Sequence, residues 1–256
     1  PFRGRPIAAR PSLRPKNKPE EPRGSAVHVA AGLARRMGGI DKVLAPLGEL
    51  PVLVHTLYAF QDCPAIHEII VVAREDLVVD VGRLCKDFNL DKVRKVIVGG
   101  QERIHSVQAG LREVDPETDL VAIHDGARPL VSQEIIRDTV ARAALTGAAA
   151  PAIPLTDTVK RTEDGLVVET VDRSSLWAVQ TPQVFEAGLI RGAIQKAMED
   201  GELLTDDCGA VERLGMKVTL TSGSRENIKI TTPLDLILGE AILQARVEEG
   251  EWRCRE

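Results

Sequence analysis

Arg35, Arg36, Gly38, Gly39 and Lys42 follow closely on an apolar run, Ala26 to Ala31, that has the character of a buried strand. An aliphatic core has no use for so much positive charge at its edge, whereas a polyphosphate does. Glycines let backbone N–H groups approach phosphate oxygens, and Arg and Lys neutralise them. For this stretch alone the alternative is a polar connection with solvated cations. Neither of the two well-known phosphate loops occurs: both G-x-x-x-x-G-K-[ST] and a strand-linked G-x-G-x-x-G are missing.

Two more loops carry similar chemistry. Gly99-Gly100-Gln101-Glu102-Arg103 follows the apolar run Val93 to Val98, and His124-Asp125-Gly126-Ala127-Arg128-Pro129 follows Asp119 to Ile123.

The elements that must position these loops alternate strand, loop, helix through the first 150 residues. Strands are expected at Ala26 to Ala31, Glu68 to Ala73, Val93 to Val98, Asp119 to Ile123 and Ala148 to Ile153. Helices are expected from Pro51 to about Gln61, Glu75 to Phe88, after Arg103 to about Val114 and Gln133 to Leu145, with Ser132 as a cap. That order predicts an α/β fold, doubly wound, with a mostly parallel sheet and ligands beyond the carboxyl ends of its strands. The period changes to two from Asp157 to Asp172, with Glu163-Asp164-Gly165 as a hairpin signal, so an antiparallel arm is expected at about 155–175. Its unpaired edge calls for a partner subunit. Beyond it lie a helix at Ala187 to Met198, another capped by Thr205, strands at Lys217 to Thr221 and Asn227 to Ile230, and a last helix from Pro233.

Bulk properties narrow the classes. The chain has 256 residues, 43% hydrophobic and 28% charged, with a net charge of −5 and only 3% aromatic content. A broad nucleic-acid surface is excluded by the charge, and stacking platforms by the lack of aromatics. The four cysteines, at 63, 85, 208 and 254, form no C-x-x-C pair or zinc pattern, and reduced thiols in the cytoplasm are expected. No apolar run reaches the ~20 residues of a membrane span. Residues 1–24, rich in Pro and Arg, are expected to be a disordered tail, with an organellar transit segment as the alternative. The first methionine is Met37, inside the phosphate-loop stretch, so Pro1 is not expected to be a native start. One nucleotide-handling domain is expected over 25–250.

Four motifs, in order, resemble those of the 2-C-methyl-D-erythritol 4-phosphate cytidylyltransferase family of the non-mevalonate isoprenoid pathway. They are A-A-G-L-A-R-R-M with Asp41-Lys42; G-G-Q-E-R-I-H-S-V; H-D-G-A-R-P; and V-D-R-S-S-L-W-A-V-Q-T-P-Q together with R-E-N-I-K-I-T-T-P-L-D-L. The resemblance covers roughly Ala26 to Gln244. It implies a Rossmann-like sheet of the nucleotidyltransferase type and transfer of a cytidylyl group from CTP to a polyol phosphate, with release of pyrophosphate. It implies that Arg36, Lys42, Arg173 and Lys229 are catalytic. It implies that Ala30, Ala31, Gly32, Gly100, Gln101, Arg103, Ser106, Asp125 and Ala127 bind the nucleotide. Thr158, Arg173, Thr181 and Lys229 would bind the polyol phosphate, with Gln183 nearby. Asp125 and Glu226 would hold Mg2+ or another divalent cation. The arm would carry Thr158 and Arg173 into the active site of a homodimer partner, with neither nucleic acid nor membrane involved. His124 is read as a structural hydrogen-bonder. The chain departs from the family at Ala34, where Gly is usual, and at Val43, where Gln is usual.

Other readings compete. A CTP-dependent enzyme for another polyol phosphate, such as ribitol 5-phosphate, would share every nucleotide residue. An enzyme using GTP or UTP is more distant. A non-catalytic nucleotide-binding module is a different class, and cations aimed at a leaving phosphate argue against it.

Overall fold

The computed structural model describes residues 22–32, 41–202 and 204–248. Arg36, Ala34 and nearly all of the expected tail lie outside the described residues. The chain opens with β1 (Gly24–Ala30), a short ladder of β2 (Pro46–Leu47) and β3 (Leu50–Pro51), then α1 (Val52–Gln61) and β4 (Ile66–Ala73). There follow α2 (Val78–Asp87), β5 (Val93–Val98), α3 (Arg103–Glu113), β6 (Leu120–Asp125), α4 (Gln133–Thr146) and β7 (Ala148–Pro154). The arm is β8 (Val159–Glu163) and β9 (Leu166–Val171). The chain ends in β10 (Trp177–Val179), β11 (Gln183–Glu186), α5 (Ala187–Glu199), α6 (Asp207–Arg213), β12 (Thr219–Ser222) and α7 (Pro233–Glu248).

The main sheet is mixed but mostly parallel. β1 lies between β4 and β6, parallel to both, and β5 extends the sheet beyond β4. β11 runs antiparallel between β6 and β7, and β10 pairs antiparallel with the far end of β7. β12 is parallel to β7, and its register overlaps those of both β10 and β11. It therefore occupies the opposite edge, and β10 and β11 share one edge as a single interrupted strand.

The central strands are buried on both faces, as parallel sheets require. Residues alternate between two cores. Ala26, Ile69 and Val71 pack with Leu57 and Phe60 of α1 and Ile136 and Val140 of α4. Val27, Ile70 and Val72 pack with Val107 and Leu111 of α3 and Ile190 and Ile194 of α5. Gly110 sets the closeness of α3 to the sheet, because a β-carbon there would lie 2.4 Å from Val27 Cγ1. α7 closes a smaller third core over Leu47, Val52, Leu130 and Ile230.

The structure corrects several expectations. Asn227 to Ile230 is irregular rather than a strand; it is held instead by Ile230 N–H donating to Ala127 O and by buried side-chain bonds of Asn227. α6 is capped by Asp206, whose carboxylate accepts from Gly209 N, rather than by Thr205. β10 and β11 had no periodic signal, since Pro182 interrupts them. The arm hairpin is as expected: Asp164 (φ 48°) and Gly165 (φ 79°) form the left-handed pair that suits a two-residue turn.

Candidate active site

The parallel strands deliver their carboxyl ends to one rim, and three loops meet there. Asp125 closes β6 opposite Val29 of β1. Arg103 opens α3. Gly126 N–H donates to Val29 O at 2.9 Å, setting Ala30 against Gly126. A β-carbon on Gly99 would meet Ala31 Cβ at 2.5 Å and Ser106 Oγ at 2.8 Å, so the β1 and β5 loops touch only because Gly99 has no side chain. Gly100 N–H donates to Ser106 Oγ at 3.1 Å. The Lys42 ammonium lies 3.8 Å from where a Gly32 side chain would begin.

Asp125 is the focus. Its carboxylate takes Arg103 Nη1 at 2.9 Å and Lys229 Nζ at 2.8 Å, with Arg128 Nε more distant at 3.5 Å. Burial alone would push this carboxyl up, but the charges of Arg103, Lys229 and Arg128 overcome it and hold it well below the usual range. The second nitrogen of Arg103 reaches Asp207 Oδ2 at 2.6 Å. Arg128 Nη1 donates to Asn227 O at 2.6 Å. Three cations thus share the carboxylates of Asp125 and Asp207, and neighbouring Asp206 adds a third negative charge that acts on Arg103.

Behind Asp125 runs a buried hydrogen-bond chain whose direction is forced. Arg128 O only accepts, so His124 Nε2 must carry the proton it shares with that oxygen at 3.2 Å. His124 Nδ1 then accepts from Thr181 Oγ1 at 2.9 Å, and Thr181 Oγ1 accepts from Asp125 N–H at 3.2 Å. Burial pulls the His124 pKa down to about 3, so the ring is neutral.

The structure sorts the expected residues. It brings together Ala30, Ala31, Gly32, Lys42, Gly100, Arg103, Ser106, Asp125, Ala127 and Lys229. Gln101 is exposed on the same loop as Gly100. Thr181 is there too, but its hydroxyl points inward to His124, which does not favour direct substrate binding. Glu226 does not join Asp125: its carboxylate pairs with Arg246 at 2.7 Å. The arm residues take no part in the Asp125 ion pairs; Thr158 is exposed, and the Arg173 guanidinium donates to Thr156 O at the arm's root. Gln183 bridges to α6, accepting from Asp207 N–H at 2.9 Å and donating to Asp206 Oδ2 at 2.9 Å. Val43, where the resemblance led to an expectation of Gln, is buried in the core. Sequence reasoning passed over Arg128, Asp207 and Asn227. Arg128 stood inside a quoted motif, whereas Asp207 looked like one more helix-start acid.

A magnesium ion fits this donor set in a limited way. Among the described residues no group of three or more His, Cys, Asp or Glu could hold a metal. Magnesium commonly uses one or two carboxylates plus substrate phosphates, and Asp125 supplies the carboxylate.

The family model for IspD, 2-C-methyl-D-erythritol 4-phosphate cytidylyltransferase, matches residues 25–245. The enzyme of that name from Caldanaerobacter subterraneus subsp. tengcongensis is 46% identical over 223 residues, covering 86% of this chain and 98% of the relative. That from Alkaliphilus metalliredigens is 43% identical over 233 residues, covering 89% and 97%. Among solved structures, the 4-diphosphocytidyl-2C-methyl-D-erythritol synthase of Anaerococcus prevotii superposes with a TM-score of 0.78 at 30% identity, covering 88% of this chain and all of that one.

Proposed function

The chain belongs to the 2-C-methyl-D-erythritol 4-phosphate cytidylyltransferase family, and on that premise we propose how its residues divide the work. The family reaction moves a cytidylyl group from CTP to 2-C-methyl-D-erythritol 4-phosphate and releases pyrophosphate. A phosphate oxygen of the acceptor attacks the α-phosphorus in line, so two anions must be brought together. Arg36 and Lys42 neutralise the α-phosphate and the leaving group. Ala31, Gly32, Gly100, Gln101 and Ser106 line the nucleotide, with backbone groups reading the cytosine edge. Lys229 serves the acceptor phosphate as a point charge. Asp125 is the carboxylate for the divalent cation that known family members use; when bound, that ion would neutralise phosphate charge. Glu226, paired with Arg246, is not part of this proposal. Thr158 and Arg173 act in the partner's site of a homodimer built through the arm.

The observation that carries this reading is the convergence of Arg103, Arg128 and Lys229 on Asp125 at the rim beside Gly32 and Lys42. Pyrophosphate release tests it, with each nucleoside triphosphate against methylerythritol phosphate and ribitol 5-phosphate. CTP with methylerythritol phosphate should be the best pair. Lys42→Ala should lose roughly 100- to 1000-fold in kcat, comparable to removing one oxyanion donor. A Lys42→Ala enzyme of normal rate would remove that residue from the chemistry.

A further inference from the structure

We propose that Asp207 is a positioning residue for CTP binding, acting by holding the Arg103 guanidinium in place when the nucleotide arrives. This rests on the reading of Arg103 as a nucleotide-binding residue. Asp125 shares its carboxylate among Arg103, Arg128 and Lys229. An entering triphosphate competes with that carboxylate for all three. Arg128 has a second anchor, the Asn227 carbonyl at 2.6 Å, whereas the only partner of Lys229 among the described residues is Asp125. The second anchor of Arg103 is Asp207, at 2.6 Å. Asp207 itself is rigidly seated: its side chain is 3% accessible, it is the first residue of α6, and its N–H donates to Gln183 Oε1. Arg103 is its one cationic partner among the described residues.

The fork of Arg103 therefore spans two carboxylates, a shared one facing the rim and a private one behind it. A guanidinium spans both because its nitrogens diverge in a fixed plane; an ammonium cannot. Without the private anchor, Arg103 turns wholly to Asp125 and is no longer presented to phosphate. The ion pair also joins the starts of α3 and α6 across 104 residues, which makes Arg103 independent of the loop it follows.

Isothermal titration with CTP in the presence of magnesium, on the full chain, decides the matter, together with KM and kcat for both substrates. Arg103→Ala tests the underlying reading and should weaken CTP. Asp207→Asn and Arg103→Lys should each weaken CTP about tenfold, a typical coupling for a buried charged pair. They should leave the KM for methylerythritol phosphate unchanged. The double variant should bind CTP no more weakly than Arg103→Lys alone, since the anchor has then lost its object. Asp207→Glu, which keeps the charge, should recover most of the affinity. If Arg103→Ala weakens CTP but Asp207→Asn does not, or if the two effects multiply, the anchoring role is overturned while the reading stands. Arg103→Ala with normal CTP affinity overturns both. Should Asp207→Asn fail to fold, Arg103→Lys decides alone, and unaltered CTP affinity in it overturns the proposal.

Discussion

His28 lies one strand from His124, in register with it, and their ring centroids are 5.5 Å apart. Phe60 packs edge-on to His28 at 4.4 Å and against His124 at 4.8 Å, so two imidazoles are sealed under the Asp125 cluster by an aromatic ring. Burial lowers both pKa values, and neither nitrogen of His28 has a hydrogen-bond partner among the described residues. Both rings are neutral when folded but gain protons near pH 6.5 when unfolded. The unfolded chain thus binds more protons below that pH, and stability is full above pH 6.5 and falls as pH drops towards the folded values. The loss is about 1.4 kcal/mol per pH unit per histidine. Urea melts at about pH 7 and about pH 5 measure it; a flat profile would contradict burial of the neutral rings. His28→Leu should take one such contribution out of the slope, leaving those of His124 and of His55, whose pKa burial also lowers, and should leave stability at neutral pH equal or higher, since it removes two unpaired buried nitrogens. None of this was visible in the sequence, where His28 was one polar letter in an apolar run. Lys42, Arg103 and Asp125 could be singled out because loop motifs carry charge where a core would not, whereas Lys229 stood on a segment expected to be a strand and was marked only by the family resemblance. Asp207 was not singled out, because a carboxylate at a helix start has a local explanation that hides its distant partner.

At the scale of elements, the strands of the parallel half were legible because each is a short apolar run bounded by turn residues, and β5 keeps the bounds expected of it. Two of the antiparallel strands were not. β10 and β11 are short, interrupted by Pro182, and stabilised by what they lie against rather than by a pattern of their own. The contact between α3 and β1 can be tested directly. Gly110→Ala would place a methyl carbon 2.4 Å from Val27 Cγ1, with Val72 Cγ2 at 3.1 Å. Overpacking of that kind costs about 1–3 kcal/mol, and thermal or urea unfolding of the variant should show it. An unchanged midpoint would mean that the helix can shift away from the sheet freely. Because Arg103 begins this helix, the same variant should also raise the KM for CTP.

At the scale of the molecule, the hairpin of β8 and β9 leaves Leu166 at 72%, Val167 at 61% and Val168 at 47% exposure. Apolar side chains left without cover on both faces of this hairpin favour the proposed docking of a partner subunit on the arm. Sedimentation should give a dimer at micromolar concentration, and replacing all three by Ser should yield a monomer that has lost transfer activity yet still binds CTP. A monomeric wild-type chain would sink the shared-site arrangement. The chain bears a net charge of −5, yet its rim gathers Arg103, Arg128 and Lys229 against Asp125 and Asp207. Such a mouth attracts diphosphates and triphosphates alike, whatever base they carry. Selection for cytosine must then come after capture, and the released pyrophosphate is itself a rival for the vacated seat. Turnover in a closed vessel should slow as that product builds up, and adding an inorganic pyrophosphatase should restore it.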